Sequence, residues 1–148
     1  MGATEAVAAA SGGVWEFYRD ERGVSVVKIE LSGAGGSDAE RAMILAEVKR
    51  VMRAALEGRL KPYVELKHIY RNPLLFELRW EIGDAVIPAR LWRLYFGWHS
   101  NLGPLRIAFK FGEKPRGLRD AQSRIGISTR RDHATQSGWR AELPASIN

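Results

Sequence analysis

The sequence predicts an α+β fold, and three observations predict it. Between Leu74 and Ala121 three apolar runs follow one another: Leu74–Trp80, Leu91–Phe96 and Leu105–Lys110. Each is rich in aromatic and aliphatic residues, is bounded by turn residues, and carries a cation between apolar neighbours. Ahead of them, Ser37–Leu56 has the apolar spacing of a helix. Helix and strand text is segregated along the chain rather than alternating, which argues against a parallel doubly wound sheet.

Taken in order, Met1–Gly13 is rich in Ala and Gly and lacks a basic n-region, so it is read as a disordered lead-in rather than a signal peptide. Val14–Tyr18 is short and aromatic and reads as a first strand, and Asp20-Glu21-Arg22-Gly23 as a turn. Val24–Leu31 is ambiguous. Its β-branched residues favour a strand, yet Val26, Val27, Glu30 and Leu31 also fit one helical face. Ser37 followed by Glu40 is a capping box, and Leu45, Val48, Met52 and Ala55 define the expected buried face of the helix that follows. Gly58 is its expected stop. Residues 59–73 form a basic connector interrupted by Pro62 and Pro73. Strands are expected at 74–82, 90–98 and 105–111. Pro115 then opens a basic helix to about Arg131, and a polar tail runs from Ala134 to Asn148.

Composition narrows the chemistry. At 148 residues the chain is one domain's length. It has no cysteine, which excludes disulfides, thiolate metal sites and a cysteine nucleophile. No apolar run is long enough to span a bilayer, so a cytoplasmic location without membrane contact is the expectation. The net charge of +6 is unevenly spread. Residues 1–58 carry seven Lys/Arg against nine Asp/Glu, whereas residues 59–148 carry sixteen against eight. The second half therefore faces an anion, a nucleic acid or an acidic protein.

Metal-free cleavage of RNA needs a base for the 2′-hydroxyl, cations for the charge on the phosphorane and an acid for the departing 5′-oxygen. Arginine suits the second task, being always charged and able to grip phosphate through two donors. Arg79 and Arg93 sit at corresponding places in successive strands, where pairing would bring them close; the competing expectation is that they pair with Glu77 or Glu81 on a solvated face. Lys110 and Lys114 come from the end of the last strand and the segment after it. His68, His99 and His133 are the candidate acids and bases, since only histidine titrates near neutrality unaided. Their spacing makes no metal pair. Gly33-Ala34-Gly35-Gly36 lacks the Lys-Ser/Thr of a phosphate loop and reads as a hinge. Trp15, Trp80, Trp92 and Trp98 fall on expected strands and read as core. Trp139, in the tail, is a candidate anchor for a protein partner.

The ordered set Leu75-Phe76-Glu77-Leu78-Arg79, Trp92-Arg93-Leu94-Tyr95-Phe96, Ile107-Ala108-Phe109-Lys110 and Pro115 with its basic helix resembles the RelE/HigB-type toxins of toxin–antitoxin systems, nearest their phage-derived, HigB-like branch. The resemblance spans residues 14–133, and residues 63–121 carry most of it. It implies a RelE-like fold, a small twisted and mainly antiparallel sheet packed against helices, with Val24–Leu31 as a helix. It implies a metal-independent endoribonuclease without cofactor that cuts mRNA on the ribosome, stops translation and is silenced by a small antitoxin protein. By position, Arg93 matches the family's central sheet arginine and Arg79 a basic strand position. Lys110 and Lys114 match the basic segment after the last strand, and Lys67-His68 the basic run before the first. Arg79, Arg93, Lys110 and His133 are thus the expected catalytic residues. Lys67, His68, Lys114, Arg116 and Arg119 are the expected substrate contacts. The chain departs from the pattern at Trp92, where tyrosine is common, and at Glu113, which breaks a lysine run. No tyrosine follows Lys110, and His133 is its expected replacement as acid or base. Two other expectations follow from these departures: a catalytically inactive growth inhibitor or phage protein that binds a host protein or RNA, and a gyrase-directed toxin of the ParE type.

Overall fold

The computed structural model describes residues 3–68, 75–99, 105–113 and Arg130. The chain runs α1 (Ala3–Ala9), β1 (Val14–Phe17), α2 (Val26–Ser32), α3 (Asp38–Leu56), β2 (Leu66–His68), β3 (Leu75–Ile82), β4 (Arg90–His99) and β5 (Leu105–Glu113). The strands form one five-stranded sheet in the order β1-β5-β4-β3-β2. β2 to β5 pair antiparallel, and β1 joins the far edge parallel to β5, with Val14 opposite Leu105 and Phe17 opposite Ala108. The molecule is thus an α+β fold with a mostly antiparallel sheet packed against helices. Apart from Arg130, the expected helix from Pro115 and the tail from Ala134 lie outside the described residues.

Alternation along the strands separates two faces. Phe76, Leu78, Trp80 and Ile82 of β3 point to the helices and join Leu94, Phe96, Trp92, Trp98, Ala108 and Phe111 in the main core. Trp92 stacks flat on Phe111, with ring centroids 5.3 Å apart. The opposite face carries a smaller cluster of Tyr18, Leu75, Tyr95, Leu105, Ile107 and Phe109. Full burial of Phe76, Phe96 and Phe109 contributes about 1.5–3 kcal/mol for each ring. Trp15, Trp80, Trp92 and Trp98 all pack in or against the main core, as the strand text predicts.

Three local expectations are corrected. The first is the lead-in: Ala3–Ala9 form a helix, because Val7 and Ala8 bury their apolar side chains in the main core. The second is the ambiguous segment, which is helical from Val26 to Ser32 and buries Val27 and Leu31. Burial of one helical face outweighs the strand preference of its β-branched residues. The third is the connector, which contains β2. Leu66 is fully buried opposite Leu78, so the sheet continues one strand further than the prolines suggest.

Within α3 the buried stripe is Ile44, Val48, Val51, Ala54 and Ala55, rotated by about one residue from the expected one; Leu45 and Met52 flank it, half-buried. Ser37 Oγ accepts the Glu40 N–H at 3.1 Å, as a capping box requires. Glu40 does not reciprocate to Ser37. Its carboxylate accepts the Gly36 N–H at 2.6 Å and faces Arg90 of β4 at 3.7 Å. At the other end Arg59 N–H reaches Ala54 O and Gly58 N–H reaches Ala55 O, the paired bonds of a Schellman stop. Gly58 has φ +69°, and a Cβ there would lie 2.9 Å from the carbonyl oxygen of Ala9, so only glycine fits between α1 and α3.

The least expected core residue is Arg106. It is 0% exposed, yet no carboxylate among the described residues pairs with it. Its Nη1 donates to Gly12 O at 3.0 Å, and its Nη2 donates to Ala10 O at 2.9 Å and Ala55 O at 3.1 Å. Its guanidinium lies 5.0 Å from the ring centroid of Trp98. Burial pushes its pKa down to about 10, still far enough above neutrality to keep the charge. The carbonyl ends of α1 and α3 supply the negative potential that a counter-ion otherwise would. Arg106→Met keeps the apolar stem and removes the fork. It is expected to lower the unfolding free energy by about 3 kcal/mol or more, because three buried carbonyls lose a charged donor. Urea denaturation of the two proteins measures this directly.

Candidate nucleic-acid interface

The face of the sheet opposite the main core brings together most of the described cations singled out from the sequence. Pairing register sets the rows. Arg79 stands directly opposite Arg93, and Arg93 is opposite Gly112 of β5. In the next row Lys67 is opposite Glu77, Glu77 opposite Tyr95, and Tyr95 opposite Lys110. The last pairing depends on a register shift between Tyr95 and Phe96, at which the register passes from Ala108 to Lys110. This bulge lets Phe109 and Lys110 share a face, and so returns Lys110 to the cationic side. One residue of regular alternation would have sent it to the other side.

Like charges opposite each other on a sheet are unfavourable, so the Arg79–Arg93 pair needs relief. Arg93 finds it internally. Its Nε lies 3.5 Å from Glu77 Oε2, with both side chains under one-tenth exposed, and its Nη1 donates to the Tyr95 hydroxyl at 3.1 Å. Arg79 takes a different course. Its Nη2 donates to the Tyr63 carbonyl at 2.8 Å, and it has no carboxylate partner among the described residues. The expectation that the arginines pair with glutamate on a solvated face is met in part: Arg93 pairs with Glu77, but the pair is buried. Lys67, exposed, and Lys110, half-buried, make no ion pair with any described residue. Gly112 adds a notch: a Cβ built there meets nothing within 4 Å, so the space beside Arg93 is open.

The loop before β2 forms a wall. Tyr63 has φ +68°, a left-handed conformation that a bulky residue seldom adopts. Its hydroxyl donates to the Glu5 carboxylate of α1, which pushes the phenol's pKa up. The N-terminal helix thus fixes the loop that its sequence gave no reason to connect with the site. Between this loop and the β3–β4 ladder lies a groove of about 490 Å³. Arg79 and Arg93 form its charged part, Tyr63, Val64 and Leu91 its exposed apolar part, and Glu81 its rim.

The remaining expected residues do not gather here. His68 stacks on Phe76 with centroids 4.9 Å apart, which places it on the helix side of the sheet; its Nε2 is buried and has no hydrogen-bond partner among the described residues. It is therefore on the wrong face to exchange protons beside Arg79. Lys114, Arg116, Arg119 and His133 lie outside the described residues. Among the described residues no three histidines or carboxylates come together to hold a metal ion, and no helix is long and apolar enough to cross a membrane. Sequence reasoning missed Tyr63, Tyr95 and Gly112 as parts of the site. Tyr95 was detectable, since it sits two residues beyond Arg93 and alternation puts both on one face. Nothing local marked Tyr63.

No protein-family model matches the chain, and no significant match to it was found among curated proteins or solved structures.

The two arginines are expected to respond differently to removal. Arg93→Ala leaves Glu77 as an uncompensated buried charge and should cost about 3–5 kcal/mol in stability. Arg79→Ala removes a cation tied only to a carbonyl and should stay within about 1 kcal/mol of the parent. Urea unfolding of both variants checks the contrast.

Proposed function

We propose that this chain is a RelE/HigB-like toxin that acts on mRNA, cutting it without a metal and so arresting translation. The observation that carries this reading is the placement of Arg79, Lys67 and Lys110 on one sheet face around the Arg93–Glu77–Tyr95 cluster. Such a surface is costly for the fold and has no role in its core. It complements a chain of phosphates. The mixed sheet with helices on one side agrees with the sequence resemblance at the level of architecture.

In the proposed reaction a base takes the proton of a 2′-hydroxyl and the 2′-oxygen attacks phosphorus. The bond to the 5′-oxygen breaks, and an acid supplies its proton, leaving a 2′,3′-cyclic phosphate and a free 5′-hydroxyl. Arg79 and Lys110 stabilise the extra charge on the phosphorane. Lys67, with Lys114, Arg116 and Arg119 from the following segment, holds the flanking phosphates. Arg93 is oriented by Glu77 and Tyr95, and its field adds to that of Arg79. His133 is the proposed acid or base. The ribosome-bound message is the substrate, a small antitoxin protein is the natural inhibitor, and the cytoplasm is the place of action. No cofactor enters.

A second reading has a specific observation in its favour. Arg93 is engaged by Glu77, and the only histidine whose side chain is described lies on the other face. A protein of this architecture that binds RNA or a host protein and blocks growth without cleavage fits those two facts.

Two outcomes test the proposal. Brief induction in bacteria should create new RNA 5′ ends inside coding regions, and Arg79→Ala should reduce them by at least tenfold, as read by transcriptome-wide end mapping. Growth arrest with no new ends, unchanged in the variant, would sink the nuclease reading. For purified protein and a short single-stranded RNA, log Kd should rise with log salt at a slope of about 2, from roughly three phosphates neutralised. A slope near zero in a salt titration would mean that the cationic face does not carry RNA binding.

A further inference from the structure

We infer that the groove beside Arg79 receives one unpaired guanosine of an RNA strand, with Glu81 reading the base; this rests on the RNA-directed function proposed above. Glu81 follows Arg79 by two residues on β3, so both point to the same face. It is exposed, lines the groove, and makes no hydrogen bond or ion pair with any described residue. Glu65, the other carboxylate at the groove, is already committed: it accepts the Lys61 N–H at 3.0 Å and lies 3.7 Å from Arg50. A free carboxylate placed among cations weakens attraction for a polyanion in general. Its placement suits selection rather than affinity.

The dimensions agree with a single nucleotide. Two residues along a strand span about 6.7 Å, which separates a phosphate held at Arg79 from a base edge at Glu81. Leu91, opposite Glu81 and 47% exposed, offers a flat apolar surface to a base plane, and Val64, 65% exposed, closes the other side. A volume of about 490 Å³ lies within the range of small-ligand pockets. An ionised carboxylate only accepts hydrogen bonds. Guanine alone presents two adjacent donors on its pairing edge, N1–H and the 2-amino group, which match the two carboxylate oxygens. Adenine and cytosine set one amino donor beside an acceptor that repels the carboxylate, and uracil sets its N3–H between two carbonyls. In a duplex that guanine edge is occupied, so the strand must be unpaired.

The test is fluorescence anisotropy with labelled uridine heptamers carrying a single central G, inosine, A, C or U. Wild-type protein should bind the G oligomer at least tenfold more tightly than the U oligomer, with inosine, which lacks the 2-amino group, between them. Glu81→Gln should bring G to the level of U while leaving the affinity for the U oligomer unchanged or higher. Equal binding of all five oligomers by wild type, or a G preference that survives Glu81→Gln, would overturn the inference. Free guanosine monophosphate that competes as well as the G oligomer would assign the groove to a mononucleotide and overturn the strand as ligand. The underlying RNA reading fails separately, by binding of every oligomer that is indifferent to Arg79→Ala.

Discussion

The structure depends most on one buried cation. Arg106 is the second residue of β5 and lies between Trp15 of β1 and Trp98 of β4 in the pairing register. From there its guanidinium holds carbonyls just beyond α1 and in the last turn of α3. A planar group with five fixed donors can bridge several acceptors at once, which a lysine in the same place cannot do. The joint at Gly58, where α1 and α3 touch backbone to backbone, is possible because Arg106 draws both helix ends to the same point. The short β1 strand is positioned by the same constraint.

Charge is thus divided between two faces with opposite purposes. On the helix side both terminal nitrogens of a guanidinium donate to the protein's own backbone. On the other face the Arg93–Glu77 pair is buried, while Arg79, Lys67 and Lys110 pair with no carboxylate among the described residues. The bulge at Phe109 is the hinge of this division, because it sets which side Lys110 serves. The edge of β5 near the bulge is closed by Glu30 of α2, whose carboxylate accepts the Phe111 N–H at 3.1 Å and pairs with Arg130 at 3.0 Å. Arg130 in turn donates to Phe109 O at 2.9 Å. The extra residue of the bulge is therefore tied into the fold by polar contacts on both sides of it.

Much of this was legible in the sequence, though unevenly. The three long strands and α3 follow from apolar periodicity and turn residues, and their observed limits lie within a residue or two of the expected ones. The pairing of Arg79 with Arg93 was also accessible, since two strands of similar length joined by a turn set the register. The helix of α2 was not decidable from its own residues, because β-branched side chains fit a strand equally well until a sheet surface is present to bury Val27 and Leu31. The helix of α1 was hidden by small residues, which look like a linker when their packing partner is unknown.

By itself the sequence determined the architecture class, the sign of the charge in the second half and the alternation that segregates Glu77, Arg79 and Glu81 from Phe76, Leu78 and Trp80. These are consequences of local period and composition. Only the tertiary structure decided what each cation does. A strand arginine reads the same whether it meets several buried carbonyls, a glutamate or one loop carbonyl, and Arg106, Arg93 and Arg79 meet these in turn. Their partners come from residues up to 96 positions away, and no local pattern encodes a meeting at that distance.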